Sequence, residues 1–120
     1  MITYQQSTGK LWINDVLMGV GYSGHGPGLN NSSQENVKGV GPLPRGLWRL
    51  GAWSDHPHLG PLVSALKPIK LTNSYGRSDF FIHGDNALMN HTGSDGCIVL
   101  SRALRQALRA SGETQLLVIE

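Results

Sequence analysis

Phe80-Phe81-Ile82-His83-Gly84-Asp85, followed after a short connection by Ser94-Asp95-Gly96-Cys97-Ile98-Val99-Leu100, is the stretch on which the reading of the chain turns. Phe80 to His83 is a short aromatic and β-branched run stopped by Gly and Asp, which predicts a strand. Ile98-Val99-Leu100 is fully apolar, as a buried strand is. Gly96 stands directly before Cys97, where a tight backbone turn brings a side chain and its neighbouring amides towards one spot. His83 ends its strand, so its ring is expected on a rigid element.

Outward from this stretch the chain reads as mainly β. On the C-terminal side Ser101 is a good N-cap for one helix, with Ala103, Leu104, Ala107 and Leu108 on one face and Arg102, Arg105 and Arg109 largely off it. Gly112 is placed to end that helix, and Thr114 to Ile119 closes the chain as a strand. On the N-terminal side Ile2 to Gln6, Leu11 to Ile13 and Val16 to Tyr22 read as a β-meander, with turns at Ser7 to Lys10 and Asn14-Asp15. Ser23 to Gly41 is rich in Gly, Asn and Ser and has no periodicity. It is read either as a loop that lines a groove or as a surface loop without order. Leu47 to Leu50 and Lys67 to Thr72 are further strands, with Asp55-His56-Pro57-His58 in a loop between them. The expectation is one domain over residues 1–120, α+β but mainly β, with one short helix.

Composition narrows the function classes. Only 15% of the residues are charged and 39% are hydrophobic, a balance that suits a packed core rather than disorder. The net charge of +2 comes without a Lys/Arg run, so no nucleic-acid partner is expected. No apolar stretch reaches the ~20 residues of a membrane span, and no membrane insertion is expected. Met1 to Gln6 lacks the basic and apolar regions of a signal peptide. The one cysteine leaves no internal disulfide and no four-thiolate metal site. Cys97 is then either a buried small side chain or a reactive thiol.

For the reactive reading the residue types have a mechanism. A His beside a Cys draws off the thiol proton and lowers its pKa, which frees the nucleophile. Amides of Gly96 and Cys97 aimed together would stabilise the charge on an attacked carbonyl. Asp85 is a candidate to orient His83, or a turn cap. His91 is a candidate second partner of the thiolate, or a solvent-facing loop residue. Asp55-His56-Pro57-His58 lacks a further ligand cluster, so no metal site is expected. Tyr22, Ser23, Arg45 and Arg77 are candidate substrate contacts, since Arg clamps carboxylates well, while a solvated Arg is the ordinary alternative.

His-Gly-Asp at 83–85 with Ser-Asp-Gly-Cys-Ile-Val-Leu at 94–100 resembles the active-site motif of the L,D-transpeptidase (YkuD-like) superfamily. Gly-Tyr-Ser-Gly at 21–24 and Gly-Pro-Leu-Pro-Arg-Gly at 41–46 extend the likeness. Together they resemble the small DUF2778/Tlde1-type branch found in type VI secretion effectors and phage proteins. The resemblance implies an L,D-transpeptidase-like β-sandwich or barrel. It implies Cys97 as nucleophile, His83 as general base, Ser94 as a site-shaping hydroxyl, and Gly96 and Cys97 as oxyanion donors; Gly84, Asp85, Asp95 and His91 are candidate supporting residues beside them. Asp95 departs from the pattern, where the larger family carries His. The implied substrate is the peptide stem of peptidoglycan, cut or exchanged through a thioester with no cofactor. The implied setting is a protein made in the cytoplasm and acting in the periplasm or wall of a target cell, with a secretion carrier or an immunity protein as partner. The non-enzymatic alternative is a wall-binding or immunity-type module with a structural cysteine.

Overall fold

The computed structural model describes residues 1–85 and 94–120; His91 lies outside them. The described chain is mainly β with one α-helix. The strands are β1 (Ile2–Gln5), β2 (Lys10–Ile13), β3 (Val16–Val20), β4 (Tyr22–Ser23), β5 (Gly46–Leu50), β6 (Ser54–His56), β7 (Gly60–Pro68), β8 (Phe80–His83), β9 (Ile98–Val99) and β10 (Gln115–Ile119), with α1 at Arg102–Ser111. One sheet runs β3-β2-β1-β10-β5-β7-β8-β9-β4, and β6 pairs with β7 outside that path.

The meander is present, with one change. Val16 to Tyr22 is broken at Gly21, and its two parts sit at opposite ends of the sheet order. Because β3 and β4 are joined by that one residue, the sheet curls until its ends nearly meet, giving a barrel-like form. Gly21 is the seam. Its N–H donates to Gly9 O at 2.8 Å, and a Cβ there would run into the Val99 carbonyl and Leu100, so a side chain would force the seam open. At Asn14 and Asp15 φ is 48° and 68°, as the tight two-residue hairpin between β2 and β3 requires.

Alternation fills the barrel. Ile2 and Tyr4, Trp48 and Leu50, Phe80 and Ile82, and Leu116 and Val118 point inward from four strands and are buried. Trp48 and Phe80 meet edge to face with centroids 5.2 Å apart, and Trp48 Nε1 donates to Pro44 O at 2.9 Å. A buried aromatic pair of this kind adds about 0.5–1.5 kcal/mol beyond its area.

The helix follows its local signals: Ser101 Oγ accepts the Leu104 amide at 3.2 Å, and Gly112 ends it in the left-handed region at φ 69°. Its faces differ from expectation. Ala103 is exposed, whereas Arg105 is buried, donating to Leu100 O at 3.2 Å, Pro61 O at 2.6 Å and Leu62 O at 3.2 Å. A buried guanidinium is tolerated when carbonyls take its protons.

Two further expectations are corrected. Of the strand expected over Lys67 to Thr72, only Lys67 and Pro68 are strand, as the end of β7. Pro68 ends β7 because it has no N–H to continue the ladder, and Lys70 at φ 57° turns the chain. The strand lies earlier, and Asp55-His56 belongs to β6, paired with it through Ser54↔Val63 and His56↔Gly60. Ser23 to Gly41 is ordered by two 3₁₀ turns at Gly26–Gly28 and Ser32–Gln34 and by Glu35, described below. No helix among the described residues is long and apolar enough to cross a membrane.

Candidate active site

β8 and β9 run parallel with Ile82 beside Ile98 and His83 beside Val99. Phe80, Ile82 and Ile98 face the core. Period-two alternation therefore puts Phe81, His83 and Cys97 on the other face. There they border one cavity of about 530 Å³, whose walls also include Lys38 and Gly39 of the glycine-rich loop, His56 and His58 of the β6–β7 hairpin, and Asp79 and Asp95. The loop at 23–41 lines the groove, as the first of its two readings had it.

His83 is 4% exposed, and its Nδ1 lies 2.6 Å from Gly84 O. A carbonyl only accepts, so Nδ1 carries the proton and Nε2 keeps its lone pair. Burial pulls the imidazole pKa below 6.5; the Gly84 carbonyl opposes this, and Arg105 adds to it. The ring is thus a neutral base in ordinary conditions. Its orienting acceptor is the Gly84 carbonyl rather than the Asp85 carboxylate, which accepts from Tyr22 OH at 2.5 Å. Gly84 also makes room behind the ring. A Cβ there would stand 2.7 Å from the Arg105 guanidinium, so the small residue lets Arg105 pack behind the His83 turn.

Cys97 is 9% exposed, and its Sγ donates to Asp79 O at 3.7 Å. The expected lowering of the thiol pKa does not occur. Burial pushes it up to about 11, with the Phe81 amide and Arg77 pulling down and the carboxylates of Asp95 and Asp79 pushing further up. At pH 7 a thiol of that pKa is about one part in ten thousand thiolate. The resting pair is neutral thiol and neutral imidazole.

The turn before the thiol is tied by Ser94, 1% exposed. Its Oγ donates to Cys97 O at 2.5 Å and accepts from Gly24 N at 3.0 Å and Gly96 N at 3.1 Å. This joins the 94–97 turn to the glycine-rich loop. It also engages the Gly96 amide internally, which corrects the expected Gly96–Cys97 oxyanion pair. Gly96 has φ 125°, and a Cβ there would collide with the Arg77 guanidinium. Asp95 is exposed, with Oδ1 3.4 Å from His25 Nδ1.

The candidate substrate contacts are mostly committed elsewhere. Ser23 is fully buried; its Oγ donates to Gly96 O at 3.1 Å and accepts the Leu43 amide at 2.8 Å. Arg77 is buried over the Phe80 ring at 5.1 Å. It donates to the carbonyls of Glu35, Gly41, Pro42 and Asp95 at 2.5 to 3.2 Å, and is neither solvated nor free to clamp a carboxylate. Arg45 grips Glu35, Nη2 to Oε2 at 3.0 Å, and neither Arg45 nor Tyr22 borders the Cys97 cavity. Glu35 is the hub of the loop, taking Gln6 Nε2 at 3.0 Å, the Arg45 amide at 3.0 Å and Tyr75 OH at 2.9 Å. Sequence reasoning missed this hub, as it missed His56 and His58 on the cavity wall. Among the described residues no three His, Cys, Asp or Glu side chains gather as metal ligands.

No curated protein matches the chain. A family model described as the Tlde1 domain matches residues 18–119, and that span takes in the glycine-rich loop, the β6–β7 hairpin, His83 and Cys97; the chain belongs to the Tlde1 domain family.

Proposed function

We propose that the chain is a cysteine acyltransferase of L,D-transpeptidase or L,D-carboxypeptidase type, acting on the tetrapeptide stems of bacterial peptidoglycan as an antibacterial, effector-like protein. The observation that carries the reading is the His83–Cys97 face: a buried neutral imidazole with a lone pair on Nε2 and a thiol, both on one cavity. Membership of the Tlde1 domain family supports it.

In this mechanism His83 Nε2 takes the thiol proton as Sγ attacks the carbonyl of the third stem residue. Because the thiolate is not preformed, proton transfer accompanies attack. The Cys97 amide stabilises the oxyanion, while Ser94 holds the turn that aims it. The tetrahedral intermediate collapses as His83 returns the proton to the amine of the terminal D-alanine. That leaves a Cys97 thioester. His83 then deprotonates an amine or a water, which attacks the thioester and restores the thiol. Water yields a shortened stem, and an amine yields exchange or a cross-link.

One observation favours the alternative, a wall-binding module with a structural thiol: the raised pKa of Cys97. The two separate under a rapid acid quench. Intact-protein mass after mixing with a tetrapeptide stem shows an acyl adduct on Cys97 if the transfer reading holds. An unchanged mass at every mixing time, with the stem also unchanged, overturns it.

A further inference from the structure

The acyl-transfer reading, on which this inference rests, requires that the negatively charged end of the stem be held. Neither expected arginine is available: Arg45 is on Glu35 and away from the cavity, and Arg77 is occupied by four carbonyls. We propose that His56 and His58, at the tip of the β6–β7 hairpin, form the subsite that takes the terminal carboxylate of the departing residue.

The geometry of His56 prepares it for this. Its Nδ1 accepts two backbone amides, His58 N and Leu59 N, each at 3.1 Å. That fixes the neutral ring as the Nε2–H form, a donor at the ring's opposite edge. The ring is further held edge-on to Phe81, with centroids 5.3 Å apart. His58 follows with its ring 6.0 Å away, and both border the Cys97 cavity. His83 keeps an acceptor at Nε2 and His56 a donor at Nε2, and both residues border the cavity, so the two rings are complementary rather than redundant.

Charge orients the ligand the same way. Asp79 and Asp95 lie by the thiol and push its pKa up while Arg77 pulls it down; with the Arg77 guanidinium taken up by four carbonyls, the two carboxylates repel a carboxylate from that side. The hairpin side carries imidazoles and no carboxylate among the cavity-lining residues. The departing amine must meet His83, and in a free amino acid the carboxylate is one carbon beyond the amine. His56 is near enough to His83 to influence its titration. A residue seated with its amine at His83 thus carries its carboxylate towards the hairpin.

The test uses Cys97→Ala protein, which binds without turnover, titrated with a tetrapeptide ending in a free D-alanine carboxylate and with its C-terminal carboxamide. The acid is expected to bind about tenfold more tightly, the low range for hydrogen bonds to a charged group. Adding His56→Asn and His58→Ala should bring the two affinities together, mainly by weakening the acid. Asn retains an acceptor for the hairpin amides, and a thermal melt checks the fold. His58→Ala alone, whose side chain holds no backbone group in the hairpin, should narrow the preference without touching the turn. Equal binding of acid and amide in the parent, or an undiminished preference in the variants, overturns the subsite while leaving acyl transfer intact. Failure of both peptides to bind removes the acyl-transfer reading and the subsite with it.

Discussion

Replacing Glu35 by Gln tests how the glycine-rich loop is held against the turn that carries Cys97. Burial alone would raise the Glu35 pKa. The Arg45 side chain and amide, Gln6 and Tyr75 outweigh it and bring the carboxyl from 4.5 down to about 2. At about 1.36 kcal/mol per pH unit, that depression corresponds to about 3 kcal/mol of folding stability. The folded pKa is the lower one, so the contribution is complete above pH 4.5 and is lost as pH falls towards 2. Glu35→Gln lacks this dependence. The gap in unfolding free energy between wild type and variant should therefore be widest at pH 7 and narrow by about 3 kcal/mol by pH 2. Urea unfolding followed by fluorescence of the three tryptophans, at five pH values from 7 to 2, measures it. The variant should also lose activity at pH 7, because Arg77 ties the Glu35 and Asp95 carbonyls together. A gap that stays constant with pH would refute the reasoning, since the carboxylate would then contribute no more folded than unfolded.

Cys97→Ala should abolish turnover on tetrapeptide stems and shift stability by less than about 1.5 kcal/mol, a mild core change readable by chemical unfolding. His83→Ala should lower turnover at least ~100-fold; in the wild type the acidic limb of the rate profile should fall below pH 6.5, because the base must be neutral and burial lowers its pKa. Gly96→Ala should both destabilise the fold and lower activity, as φ 125° is hostile to Ala and its Cβ meets Arg77; a melt unchanged from wild type would count against the turn geometry. Protein directed to the periplasm by an added leader should deform or lyse cells, while the same protein kept in the cytoplasm should not. Equal toxicity in both places would point to a cytoplasmic target.

The parts of the fold that could be read in advance rest on local signals. Ser101 and Gly112 delimit α1 because caps act within one turn, and Asn14-Asp15 marks its hairpin by positive φ. Arg105 could not be read this way. Its acceptors, Pro61 and Leu62, come from β7 and meet the helix only after the sheet has curled. The break at Gly21 likewise depends on a close approach of Gly9 and Val99 from distant segments. Gly60, Pro61 and Leu62 at φ 58° obscure the start of β7, so the hairpin that carries His56 and His58 left no periodic trace.

The same division holds in the site. That His83 and Cys97 border one cavity was legible from their strand contexts. The state of the thiol was not, because a thiol pKa is decided by burial and by Asp79 and Asp95 as much as by a neighbouring imidazole. Slow alkylation of resting Cys97 at neutral pH is therefore compatible with catalysis. What a working site must show is reactivity in the presence of substrate.

Acyl transfer from stem peptides by Cys97, with His83 as base, can be read out on purified muropeptides. Tetrapeptide-stem muropeptides incubated with the wild-type protein, with and without an added D-amino acid, are separated and weighed by mass spectrometry. Stems that have lost the terminal D-alanine, or carry the added residue in its place, are expected from the wild-type protein, and no change with Cys97→Ala. Stems left intact by the wild-type protein, or altered equally by Cys97→Ala, would contradict it.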